Sequence, residues 1–141
     1  MATFNKFNQF GEDLGRKVHN LNADTLKVVL TNTAPAATDA TLSQITQISN
    51  GNGYTTGGST AASNAYTQTS GTAKLTATDV VFTASGGSVG PFRYAVLYND
   101  TPTSPADPLI GYWDYGSSIT LASGETFTVD FDGTTGILTI A

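Results

Sequence analysis

The chain has 141 residues and a net charge of −5, and only 12% of its side chains are charged, against a usual share of about 25%. Its six Lys and Arg are scattered and form no basic patch, which excludes a nucleic-acid partner, because phosphate contacts need clustered cations. There is no Cys, so disulfides and thiolate metal sites are excluded. Thr, Ser, Asn and Gly stand where Lys and Glu usually do. Such a surface hydrates without charge and can pack on neighbours without burying ions, which would be costly.

The opening residues contain no basic stretch followed by an apolar one, and no apolar run approaches the ~18 residues of a membrane helix. Synthesis in a cytoplasm, with no membrane partner, is therefore expected. Phe4, Phe7, Leu14, Val18 and Leu21 fall on one stripe at 3–4 spacing, with Gly11 at the missing step. This predicts a helical segment within residues 1–22, packed on the domain or on a neighbour. Glu12–Arg16 and Asp13–Lys17 are (i, i+4) pairs in the favourable order. Gly11 and Gly15 weaken the helix, and close approach of another element would explain them.

Residues 23–141 read as an antiparallel β-sandwich. Thr25–Thr31 is apolar on both faces at its centre, which predicts an internal strand ended by Pro35. Residues 36–48 fit either helical turns or a coiled loop. The stretch 49–59 is rich in Gly and Asn around Tyr54 and is expected to be an exposed, adaptable loop. Strands are predicted at Ala61–Thr69, Thr72–Ala77, Val80–Ala84, Gly90–Asn99, Pro108–Asp114, Ser117–Leu121, Glu125–Phe131 and Gly136–Ile140. Short strands at this spacing predict an all-β sandwich with a short N-terminal helix, jelly-roll-like in preference to immunoglobulin-like.

No residue pattern carries catalysis. His19 is the only histidine, so a histidine metal cage is excluded, and no Gly-x-Ser-x-Gly elbow presents a serine. His19 is expected to act as a cation near the helix C-terminus. Asp130 and Asp132 beside Gly133 lack the further ligands and closing Glu of a calcium loop, and the glycines of 51–58 lack the Lys of a phosphate loop. Glu125 with Asp130 or Asp132 would need a cleft that raises one pKa before it could act as a glycosidase pair. No catalytic residue, cofactor or metal is expected. The aromatic strand places Phe92, Tyr94, Val96 and Tyr98 on one face, with Arg93, Ala95 and Leu97 on the other. Tyr112, Trp113 and Tyr115 follow. Such rings suit a sheet core with a polar-tipped rim, a contact with another subunit, or a sugar platform.

Four stretches carry a resemblance: Thr25–Pro35, Phe92–Asp100, Pro108–Gly116 and Thr126–Phe131. With these the chain resembles virion structural proteins of tailed bacteriophages and prophages, in particular head cement or decoration proteins of short-tailed phages. The resemblance implies a jelly-roll β-sandwich, assembled as a dimer or trimer on the capsid exterior and bound to the major capsid protein. It implies no catalytic motif. A tail, neck or baseplate component, or a receptor-binding module, is the alternative. The candidate partner-contact residues are Phe4, Phe7, Leu14, Tyr54, Tyr112, Trp113 and Tyr115.

Overall fold

The fold is an all-β sandwich in which every strand pairing is antiparallel. The structure is a computed structural model that describes residues 2–141. The elements in chain order are β1 (Asn5–Lys6), α1 (Asn8–Gly15), β2 (Leu26–Thr31), β3 (Ser59–Thr60), β4 (Ala65–Thr69), β5 (Thr72–Thr76), β6 (Val80–Thr83), β7 (Val89–Asn99), β8 (Leu109–Leu121), β9 (Thr126–Val129) and β10 (Leu138–Ile140). One sheet has the order β1-β8-β7-β2-β3, and it faces a three-stranded sheet, β10-β5-β4, and a two-stranded one, β6-β9. A jelly roll has two four-stranded sheets; here five strands face three and two. No helix among the described residues is long and apolar enough to cross a membrane.

The centre of the five-stranded sheet, β2 and the second half of β7, is buried on both faces, which is why β2 reads as a continuous apolar run. Val28 and Leu30 stand opposite Leu97 and Ala95, and these four belong to the main core between the sheets. Val29 stands opposite Val96, and both join Phe7, Ile45, Tyr98 and Leu109 in a second core on the outer face. Phe7, with Leu42 and Ile45 of the irregular segment after β2, supplies that cover, while Ile48 and Tyr54 of the same segment turn to the main core. Within that segment, residues 36–48 form a single 3-10 turn at Leu42–Gln44, after which Ile45 is buried.

The predicted stripe overruns the actual helix. Phe4 and Phe7 precede α1, since Asn5 and Lys6 pair with Tyr112 and Gly111 of β8. Helix α1 ends near Lys17, whose φ of 68° turns the chain out of the helix. The pair Glu12–Arg16 forms at 2.8 Å. Asp13–Lys17 does not: Asp13 is buried and accepts a hydrogen bond from Gln9 Nε2 at 3.2 Å instead. Neither Gly11 nor Gly15 is approached by another element, so close packing does not explain them. Phe10 and Leu21 lie in the main core, which makes the N-terminal segment a part of the sandwich.

Two further expectations change. Between Phe92 and Tyr94 the pairing runs from Ile119 to Asp114 on β8, so β8 carries more residues than β7 there, and such an irregularity breaks the alternation of faces. Phe92 therefore joins Ala95 and Leu97 in the main core, while Val96 and Tyr98 face the outer one. Pro108–Asp114 and Ser117–Leu121 form a single strand, β8. Between Asp114 and Ile119 it bulges away from β7, because only Arg93 lies between their partners Tyr94 and Phe92.

Candidate functional site

The bulge in β8 re-aims its side chains, as bulges commonly do. Gly116 supplies a φ of 101°, and its N–H donates to Asp114 Oδ1 at 2.8 Å. Tyr115 is left 56% exposed, with its ring edge-on to Phe127 of β9 at 5.5 Å between centroids. Trp113, on the same strand face as Tyr115, is half-buried and packs tilted on Phe131 at 5.7 Å. These rings flank an open cleft of about 170 Å³ between β8 and β9, with Arg93 and Asp130 at its rim.

The N-terminal residues extend this apolar surface. The Phe4 ring meets Trp113 edge-on at 5.4 Å and lies on Gly111, where any Cβ would collide with it. On its other side Phe4 opens into a groove of about 530 Å³ shared with Phe10, Leu14, Leu138 and Ile140. The result is one apolar seam. It runs from Tyr115 past Trp113 and Phe4 to Ile140, which is 43% exposed, along the open side where β8 meets the smaller sheets.

A single ion pair marks the seam. Arg93 Nε and Nη2 donate to Asp114 Oδ1 and Oδ2 at 2.8 and 3.0 Å, a bidentate geometry that fixes both planar groups. The Arg93 guanidinium, helped by the Gly116 N–H, holds the Asp114 carboxyl below its ordinary pKa. Arg93 also lies 5.4 Å from the Tyr94 ring centre. The seam therefore offers rings, aliphatic groups and a neutralised ion pair, which suits packing against another molecule.

The expected contact residues divide. Phe4, Leu14, Trp113 and Tyr115 come together on the seam. Tyr112 points to the outer face, half-buried against Phe7 at 5.2 Å. Phe7 and Tyr54 have essentially no exposed surface and cannot serve as contacts in this fold. Tyr54 stacks on Phe82 at 5.8 Å, and burial pushes its hydroxyl pKa up to about 12. The loop around it is anchored rather than adaptable. Gly57 N–H donates to Gln47 Oε1 at 2.9 Å, and the Tyr98 hydroxyl donates to Gly57 O at 2.6 Å. Sequence reasoning missed Phe127, Leu138 and Ile140 as seam members. For Phe127 the signal was present in the alternation Thr126-Phe127-Thr128-Val129, which puts both apolar residues on one face.

Other candidate chemistry is dispersed. Asp132 caps its own turn, accepting from the N–H groups of Thr134 and Thr135 at 2.7 and 3.0 Å, and those bonds hold its pKa low. No group of three or more His, Asp or Glu placed to hold a metal occurs among the described residues. His19 packs on Phe10 of the seam groove at 5.2 Å but is buried and bonded to Asn99. No family model, curated protein or solved structure matches the chain.

Proposed function

We propose that this chain is a head decoration, or cement, protein of a tailed bacteriophage, with no catalytic role. It binds the outer surface of the capsid as a dimer or trimer and stabilises contacts between major capsid protein subunits. The observation that carries the reading is the seam: Phe4, Leu14, Trp113 and Tyr115 gather on one side of the fold, and away from it Val81 is the one large apolar side chain left mostly exposed among the described residues. The sequence resemblance and the low charge support it. Binding only the assembled lattice stabilises that lattice by mass action, and symmetry multiplies modest contacts into a large effect.

The test is the copy number per purified particle, by quantitative mass spectrometry against the major capsid protein. A ratio near one, or a simple fraction of it, is expected. A ratio of a few per cent or less would overturn the cement reading and move the protein to the tail or neck. A receptor-binding module is the second reading, favoured by the half-exposed Arg93–Asp114 pair beside Trp113 and Tyr115, because a sugar ring stacks on such rings while its hydroxyls bond the planar charged groups. Glycan-array binding that disappears in Trp113→Ala would support this second reading.

A further inference from the structure

We propose that His19 is a pH-operated latch, which ties the N-terminal segment to the end of β7 while its ring is neutral and releases it when the ring is protonated. His19, Asp13 and Asn99 are all more than nine-tenths buried. The Asn99 side chain is fixed in orientation, because its Oδ1 accepts from Thr101 N–H at 3.1 Å. Its amide nitrogen therefore faces Asp24 Oδ2 at 2.7 Å and His19 Nδ1 at 3.1 Å. Asp24 Oδ2 also accepts from Asn20 N–H at 2.8 Å. Since Asn99 donates, Nδ1 of His19 must accept, and the ring's proton sits on Nε2. Together with the Asp24–Asn99 bond, this contact ties the loop after α1 to the end of β7, and it is the member of the pair that the ring's protonation opposes; the ring also packs on Phe10 of α1 at 5.2 Å.

Protonating Nδ1 places two donors against each other. Asn99 cannot turn over without giving up its bonds to Thr101 and Asp24, so the contact opens. The charged and titratable groups around the ring are few. Asp13 of α1 and Asp24 favour the cation, and burial opposes it more strongly, which lowers the pKa from its ordinary value. Lys17 and Tyr66 of β4 line the same surface depression, and Asp100, next to Asn99, is paired with Lys27 at 3.1 Å. Asp13 Oδ2 and His19 Nε2 are both buried without a hydrogen-bond partner, so the site holds polar groups that its neutral state does not satisfy. The folded state keeps the ring neutral, so as pH falls the unlatched chain takes up the proton first. The latch is fully effective above about 6.5 and weakens below it.

Hydrogen exchange of the intact protein at about pH 7.5 and about pH 5, corrected for intrinsic rates, tests this. Residues 8–24 are expected to lose about tenfold or more in protection at the lower pH, while β7 and β2 keep theirs. His19→Gln retains an acceptor for Asn99 without a titrating ring and should abolish the difference. Equal protection of residues 8–24 at both pH values in the natural chain overturns the latch, and so does an undiminished pH effect in the variant. Should the variant fail to fold, an NMR titration of the single histidine decides. The expected midpoint lies below about 6.5, with the Asn99 side-chain amide shifting in step; a higher midpoint or an unmoved amide overturns the proposal.

Discussion

Tyr54 does for β2 what a missing strand would do. Strand β3 pairs with β2 only at Lys27 and Val28, so Leu30 would otherwise face that side with open backbone groups. Its N–H donates to the Tyr54 hydroxyl at 3.2 Å, and its carbonyl accepts from Ile48 N–H at 3.1 Å. The Tyr54 hydroxyl in turn donates a hydrogen bond to Gln47 Oε1 at 2.8 Å. Removing it with Tyr54→Phe strands a buried donor, and the expected loss is about 1–3 kcal/mol of unfolding free energy, read by urea denaturation. A loss within experimental error would mean that Leu30 finds another acceptor. Nothing local in the sequence announces this role. A tyrosine among glycines reads as a loop residue, and only the long-range packing against Phe82 and β2 makes it a core one.

Helix α1 is held by packing rather than by its own propensity. It has eight residues, two of them glycine, and no side chain caps its N-terminus, so in isolation it would not form. Phe10 anchors it in the main core. Because a Cβ at Gly11 would meet no atom within 4 Å, Gly11→Ala is expected to stabilise the protein by about 0.5–1 kcal/mol. A thermal melt should then rise by about 2–4 °C per kcal/mol for a chain of this size, and an unchanged or lower midpoint would contradict it. Gly111 in β8 behaves oppositely. A methyl group there strikes the Phe4 ring, so Gly111→Ala should leave the sandwich folded while residues 2–6 lose protection in hydrogen exchange.

The helical stripe was overextended because Phe4 and Phe7 keep the 3–4 spacing while sitting on a short strand and at its end. Spacing alone does not distinguish a helix from apolar residues that face two different cores. The break in the aromatic region between Asp114 and Ser117 was legible and is real, but it is a bulge within one strand. That distinction requires knowing that β7 runs alongside without interruption.

At the scale of the whole molecule, the seam and the charge pattern imply how binding should respond to conditions. Its ion pair is internal and bidentate, and apolar groups supply most of its surface. If the proposed cement role holds, binding to expanded capsids should change little with added salt, since screening acts on exposed charges and not on apolar burial. A sedimentation assay at low and high ionic strength checks this; steep weakening with salt would move the contact to a charged face. Tyr115→Ala is expected to weaken binding by about 1 kcal/mol or more, as truncation of exposed interface tyrosines does, while leaving the thermal midpoint almost unchanged.

The sequence by itself determined the class. Alternation of apolar residues marked most of the longer strands within a residue or two, because side-chain period and backbone conformation are coupled locally; it began β4 at Ala61 instead of Ala65 and missed the two-residue strands β1 and β3. The shortage of charge, the absence of cysteine and the solitary histidine were likewise visible without a fold. The tertiary structure alone decided which face each strand turns inward. It paired β2 with β7, placed a slip at Arg93 that exchanges the faces of Phe92 and Val96, and laid Leu42 and Ile45 over the outer face of the five-stranded sheet while sending Tyr54 to the main core. It also buried Phe7 and Tyr54 while bringing Phe4, Leu14, Trp113 and Tyr115 to one seam. These outcomes depend on contacts between residues far apart in the chain, whose energies come from packing and from satisfying buried backbone groups, and no local pattern encodes which distant partner a strand will meet.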